Sequence, residues 1–231
     1  SYDLPDDFMP RLEKFVAEFP VALEEVVGLL NSNRIWIDRM KNVGKISAEE
    51  ALSFGMTGPA LRATGVDLDL RRDRPYYFYD KIDFDVAIGT NGDSLDRYLC
   101  RMEEMRQSTR ILKQCMEQIK PGPRWVDDRR GRIADKMDVC TKREVLIHHC
   151  KSFMEGIDVP PGETFTCVEG GNGELGFYIV SRGGPRAWRI HVKAPSLMQF
   201  QAYEKMIVGD KIPDAVATLG SINIIAGELD R

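Results

Sequence analysis

The sequence predicts an α+β fold, mostly helical, with one small antiparallel β-meander near residues 163–193. Three observations carry this. Leu95, Tyr98, Met102, Met105, Thr109, Leu112, Met116 and Ile119 recur at alternating steps of three and four, the period of one helix face. Ser47-Ala-Glu-Glu50 and Thr141-Lys-Arg-Glu144 have the form of capping boxes, in which a hydroxyl takes a backbone amide and the glutamate reaches back. Residues 164–169, 175–180 and 186–192 are rich in β-branched and aromatic types and are parted by glycine-rich turns.

In chain order, residues 4–33 read as helix with one interruption. Phe8, Leu12, Phe15, Val16 and Phe19 share a face, and Pro20 marks a break because it has no N–H for the helix ladder. Leu23, Val26, Val27 and Leu30 begin a second stripe that ends at Asn31-Ser32-Asn33. A short helix opens at Ser47, and Gly55 and Gly58 then lead into irregular structure over residues 56–75. Residues 76–85, where Tyr77, Tyr79, Ile82 and Phe84 alternate with charge, predict an extended segment. The longest helix spans residues 94–120, capped by Asp93 or Ser94 and stopped by Pro121-Gly122-Pro123. Residues 121–140 read as a polar linker, where Asp127 and Asp128 neutralise much of the Arg129-Arg130-Gly131-Arg132 cluster. A helix from Thr141 to Met154 follows, then the meander, helices near 197–207 and 213–219, and an apolar tail over 222–226. The expected organisation is one domain with a helical part (1–155), the meander (163–193) and C-terminal helices with a tail (195–231).

Composition narrows the class. With 43% hydrophobic and 29% charged residues in 231, the chain can bury a globular core. A net charge of −4 gives no general attraction to nucleic acid or to an anionic membrane. No apolar run approaches the ~20 residues of a membrane helix, so membrane contact is expected only through partners. Cys100, Cys115, Cys140, Cys150 and Cys167 form no CxxC pair and read as buried free thiols of a reducing compartment.

Chemistry is thin. His148 and His149 are adjacent, so on a helix they point about 100° apart and cannot form the i, i+4 pair of a helical metal site. One of them is expected to face the core, and His191 the solvent side of its strand. There is no GxSxG and no cysteine in an activating motif. The glycine-rich turns lie between strands, not between strand and helix, so they lack the setting of a phosphate loop. No catalytic residue and no metal ligand set is expected from this chain.

Colinear runs then add a resemblance. Asn33-Arg-Ile-Trp36, Ala48-Glu-Glu-Ala51, Leu61-Arg62 with Thr64-Gly-Val-Asp67, and Asp69-Leu-Arg71 with Pro75-Tyr76 come first. Tyr79-Asp80, Asp83-Phe-Asp-Val86, Gly92-Asp93 and Asp96-Arg-Tyr98 lead to the most specific segment, Cys100-Arg-Met-Glu-Glu-Met-Arg-Gln-Ser108. Ile147-His-His149, Glu155-Gly156, Val159-Pro-Pro-Gly162, Gly173-Glu174, Lys193-Ala-Pro195, Asp214-Ala-Val216 and Gly227-Glu228 with Asp230-Arg231 follow. Together they resemble the C-terminal half of the 49 kDa subunit family of respiratory complex I. That family is similar in fold to the large subunit of nickel–iron hydrogenases with the metal site lost.

The resemblance implies a core subunit of a proton-translocating NADH:quinone oxidoreductase. The chain would form part of the quinone-reduction chamber and dock the iron–sulfur subunit whose cluster delivers electrons to quinone. It would bind no cofactor itself and would be inactive alone. Implied partners are a polypeptide carrying the N-terminal half of the subunit, the iron–sulfur subunit and other peripheral-arm subunits, with no nucleic acid. Implied locations are the matrix side of the mitochondrial inner membrane or the cytoplasmic face of a bacterial membrane. Asp3-Leu-Pro5 resembles a mid-chain segment of the family, so a naturally split subunit is expected. Ile225, where the family usually has Val, would be a wall of the quinone cavity. Asn223, Glu228, Asp230 and Arg231 would form a tail network beside it, simple anchoring of the tail being the alternative. Asn223 replaces a family Asp, and Ser196-Leu-Met-Gln199 replaces Gly-Phe-x-His, each removing a titratable group. A fragment of an energy-converting hydrogenase and a structural remnant retained for assembly remain as other readings. Residues 220–231 carry no cysteine for nickel, which speaks against the former.

Overall fold

The first helix runs through the proline that the sequence marks as its end. In the computed structural model, which describes residues 4–120, 122 and 134–230, α1 spans Phe8–Asn31 with Pro20 inside it. Met9, Leu12, Val16, Phe19, Pro20, Leu23, Val27 and Leu30 are its covered positions, so a single apolar stripe passes across the proline. Packing of that stripe outweighs the one ladder bond a proline removes. After it, Asn33 caps α2 (Arg34–Met40), a helix the sequence did not announce, by accepting the Trp36 amide at 3.2 Å.

The first capping box forms as its residues predict. The Ser47 hydroxyl accepts the Glu50 amide at 3.2 Å, Glu50 accepts the Ser47 amide at 3.3 Å, and α3 (Ala48–Ser53) follows. Within the stretch read as irregular lie two short helices, α4 (Gly58–Arg62) and α5 (Leu70–Asp73). The extended segment expected over 76–85 is not a strand; it holds a 3-10 turn at Tyr79–Lys81. Its backbone is satisfied by side chains of α6 (Ser94–Gln118) instead. The Asp83 and Asp85 amides donate to Gln114 and Gln107, which stand seven residues apart on that helix.

α6 matches the predicted long helix, but its deepest side chains are not the predicted stripe. Of that stripe Thr109 is buried, Ile119 is exposed and the others are half-buried. Ser94, Asp96, Arg97 and Cys100 are buried near its start. Further on, α7 (Lys136–Thr141) and α8 (Arg143–Met154) depart from the second capping box. The Thr141 hydroxyl donates back to the Met137 carbonyl at 2.7 Å, which closes α7 rather than capping α8. α8 has no buried residue, so neither His148 nor His149 faces a core; the His149 ring lies 4.6 Å from that of Phe153. Of the cysteines, Cys100 is buried and Cys167 half-buried, whereas Cys115, Cys140 and Cys150 are exposed, against the expectation of buried thiols. The Arg129–Arg132 cluster lies outside the described residues.

The meander forms as β1 (Gly162–Gly170), β2 (Gly173–Ser181) and β3 (Arg189–Lys193), in that order across the sheet. Gly171 and Asn172 join the first two, and a two-residue connection requires antiparallel neighbours. α9 (Pro195–Ile207), α10 (Ile212–Ile222) and a 3-10 turn at Ala226–Glu228 complete the chain.

The chain divides into two compact units. One draws on Ser1–Phe8, Ile119–Thr166 and Phe177–Val192; the other, larger, on Met9–Gln118, Cys167–Gly176 and Lys193–Arg231. The larger unit thus owns the tip of the β1–β2 hairpin. Its core gathers Ile46, Met56 and Leu61 with Ala202, Met206 and Ile222, joining the early short helices to α9 and α10. Among the described residues no helix is long and apolar enough to cross a membrane.

Candidate functional site at the hairpin tip and tail

The sequence-selected tail residues leave α10 through a left-handed turn. Asn223 has φ 59° and ψ 53°, a conformation that asparagine tolerates better than most side chains, and it ends the helix. Its side chain donates to Asn172 Oδ1 at 2.7 Å, and Asn172 Nδ2 donates to the Asn223 carbonyl at 2.9 Å. This amide pair holds the tail to the hairpin tip without charge. Behind it, fully buried Gln199 donates to the Asn172 carbonyl at 2.5 Å and to the Thr57 carbonyl at 3.3 Å. The Thr57 hydroxyl accepts the Glu174 amide at 2.9 Å. A Cβ on Gly58 would stand 2.4 Å from the Gly173 Cα, so only glycine lets loop and hairpin backbones approach this closely.

The tail is tied a second time at the start of α9. Ser196 Oγ accepts the Ile225 amide at 3.3 Å, and the Ser196 amide donates to Glu228 at 3.0 Å. α9 has no side-chain cap from Ala194, so the Glu228 carboxylate takes that place from across the fold. Ile225 itself is 49% exposed between the two ties. Asp230 is exposed, and Arg231, expected in the same tail network, lies outside the described residues. Glu228→Ala is therefore expected to cost about 1 kcal/mol, the scale of a lost cap, with Glu228→Gln largely retaining the bond. Urea-dependent pulse proteolysis of the two variants checks this.

A charged cluster sits beside the same hairpin tip. Arg62 of α4, 1% exposed, donates to Glu104 from Nη2 at 2.6 Å and Nε at 3.2 Å, and from Nη1 to Glu169 at 2.8 Å. Fully buried Asp69 takes two side-chain bonds from Arg71 at 3.0 and 2.6 Å and lies 3.6 Å from Arg62. Burial works against charge at Arg62, Asp69 and Glu169. For Arg62 the carboxylates of Glu104 and Glu169 outweigh it and hold the guanidinium above its ordinary value. For Asp69 the bonds and charge of Arg71 outweigh it and keep the carboxyl low. At Glu169 burial wins, and the carboxyl is pushed up. Glu174 nearby pairs with Lys193 and takes the Cys167 thiol, which burial and that bond both raise.

The structure thus brings Asn223, Ile225 and Glu228 together with Asn172, Gln199 and Thr57, which the sequence did not single out as a site. The only signal for Asn172 is an amide set among glycines at a hairpin tip. Among the described residues no group of three or more His, Cys, Asp or Glu side chains is placed to hold a metal ion.

Over residues 1–231 the chain matches the family model described as respiratory-chain NADH dehydrogenase, 49 Kd subunit. The D subunit of NADH-quinone oxidoreductase from Myxococcus xanthus is 47% identical over 99% of this chain and 55% of that protein's length. The protein of the same name in Methylacidiphilum infernorum is 46% identical over the same shares. In Magnetococcus marinus it is 43% identical, over 99% of this chain and 58% of its own length. The chain therefore spans little more than half of the curated relatives it matches.

Proposed function

The chain belongs to the family of the 49 kDa subunit of respiratory-chain NADH dehydrogenase, and from that membership we propose that it builds part of the quinone-reduction chamber of an NADH:quinone oxidoreductase. The observation that carries the reading is Ile225. A branched apolar side chain stands half in the open on a tail fixed at Asn223 on one side and Glu228 on the other. Such a residue suits the wall of a passage for an apolar ring or chain, because the bonds around it fix where the wall stands. The neutral amides of Asn172, Gln199 and Asn223, which tie tail, hairpin tip and α9, supply hydrogen bonds without a charge that would repel an apolar ligand.

Electrons would come from an iron–sulfur cluster held by a neighbouring subunit, and this chain's part would be to shape and dock. Its proposed partners are that subunit, the polypeptide segment corresponding to the rest of the relatives' length, and further peripheral-arm subunits. The relatives named above are bacterial, which favours the cytoplasmic face of a bacterial membrane, reached through those partners.

Ile225→Met removes the β-branch and lengthens the side chain. It is expected to leave assembly intact, since a hydrophobic swap of this kind costs less than ~1.5 kcal/mol, while weakening inhibitors that fill the passage. Quinone-reductase activity, with and without a pocket inhibitor and normalised to assembled complex, tests this. An unchanged inhibitor response would return the tail to an anchoring role.

A further inference from the structure

The β-meander ends in a strand that is open on both faces. β3 stands at one edge of the sheet, and among the described residues no strand lies beyond it. Trp188, just before it, is 62% exposed and Ile190 within it 56%, and Arg189 and His191 are exposed as well. Successive side chains of a strand point to opposite faces, so Trp188 and Ile190 share one face and Arg189 and His191 the other. An antiparallel sheet commonly packs one face on a core and shows the other to water. Along β3 neither face is covered.

Charge on this edge has one sign. Residues 175–203 contain no aspartate or glutamate, in a chain whose net charge is −4. Within that stretch Arg182, Arg186 and Arg189 are exposed, and no ion pair holds any of them among the described residues. The Arg182 guanidinium lies 3.5 Å from the centroid of the Trp188 ring, which sets positive charge beside the apolar face too. Two acids of the hairpin act nearby. Glu174 pairs with Lys193, and Glu163 accepts the Tyr178 hydroxyl, on which the Arg189 charge also acts. Glu163 thus balances part of Arg189 from across the sheet and leaves Arg182 and Arg186 to a partner.

We propose that the outer edge of β3 is a docking site for an extended acidic segment of a protein partner, which joins the meander as a fourth strand. Its backbone continues the sheet, its acidic side chains stand beside Arg189 and His191, and its alternate apolar side chains stand beside Trp188 and Ile190. Charge complementarity selects the acid, and the two open faces of β3 select the alternation. An anionic membrane suits the patch less, because lipid recognition takes a cluster of about 4–8 basic side chains and this edge offers three exposed arginines. Charges that merely guard an edge against pairing need no bare tryptophan and isoleucine beside them. The site stands whether or not the tail lines a quinone passage.

The test uses the 231-residue chain and two synthetic peptides, one alternating glutamate with valine and one alternating lysine with valine. Fluorescence anisotropy of a labelled peptide measures binding, and amide hydrogen exchange locates it. The glutamate peptide is expected to protect the amides of β3 and not those of β1, the opposite edge, and to bind less well at high salt. Arg186→Glu combined with Arg189→Glu should weaken it roughly tenfold or more, while lysine at both positions should keep most of the affinity. Both arginines are exposed, so these variants leave the interior untouched. No binding, equal binding of the lysine peptide, or protection of β1 in place of β3 overturns the proposal. Binding to phosphatidylserine vesicles without protection of β3 by the glutamate peptide overturns it as well, and makes the patch a lipid surface.

Discussion

Arg62→Met is expected to lower the stability of the chain by about 3–5 kcal/mol, the scale of breaking a buried ion pair by removing one partner. Among the described residues, Arg62 is the only group that pairs with Glu104, Glu169 and Asp69 at once. Methionine keeps most of the volume but removes the guanidinium hydrogen-bonded to Glu104 and Glu169, while Asp69 retains Arg71. Because the penalty is one of unpaired negative charge, it should shrink as pH falls. Pulse proteolysis in urea at two pH values measures both features. A loss below about 1 kcal/mol, the range of exposed pairs, would mean that the cluster is better solvated than its burial indicates. The hairpin tip should also loosen, seen as faster amide exchange at Glu169 and Asn172.

Arg97→Met should come next, at about 2–4 kcal/mol, and for a different reason. Fully buried Arg97 donates to the carbonyls of Gly44 and Gly92 at 2.8 and 3.0 Å and to Ser221 and Ser94 at 2.9 and 3.0 Å. Burial is the main cause that lowers its pKa to about 10, Arg101 adds to it, and Asp93 and Asp96 oppose it. Methionine removes an unfavourably buried charge, which offsets part of the loss. The Gly92 carbonyl keeps the Ile46 amide at 3.1 Å, whereas the Gly44 carbonyl loses its bond to Arg97, at a cost of about 1–3 kcal/mol. Lysine should fare little better, since one ammonium cannot span acceptors on three segments. Arg101 holds the same helix end by donating to the Ser221 and Ile222 carbonyls at 2.6 and 3.1 Å. Weakening of this clamp should therefore appear at the tail that leaves α10, as faster exchange of the Asn223 and Ile225 amides.

What was legible in the sequence divides along the range of the forces involved. The Ser47 capping box, the long α6 and the meander are set by neighbours a few residues apart, and their residues announce them. Pro20 misleads because its cost is local while the stripe that overrides it is packed by the rest of the larger unit. Thr141 misleads because its hydroxyl had two possible partners, and the Met137 carbonyl won. The segment over 76–85 reads as extended, yet it holds a 3-10 turn and its Asp83 and Asp85 amides bond to glutamines on α6.

The site shows the same division more sharply. Ile225, Asn223 and Glu228 were found through a family resemblance, not through any pattern of spacing. Arg62 and Glu169 stand 107 positions apart, and Gln199 and Thr57 142 positions apart. Nothing short of the fold pairs them. Glu228, expected in a tail network with Asp230 and Arg231, also caps α9, because the Ser196 amide lies where its carboxylate reaches.

Under the proposed function this chain works as part of a quinone-reducing assembly. The most direct measurement is affinity purification through a tag on the chain under gentle detergent, followed by NADH:quinone oxidoreductase assay and identification of what copurifies. Inhibitor-sensitive quinone reduction is expected in the purified particle, together with polypeptide corresponding to the rest of the relatives' length and an iron–sulfur subunit. Recovery of the chain as a lone species from the same cells, with all such activity left in the unbound fraction, would contradict it.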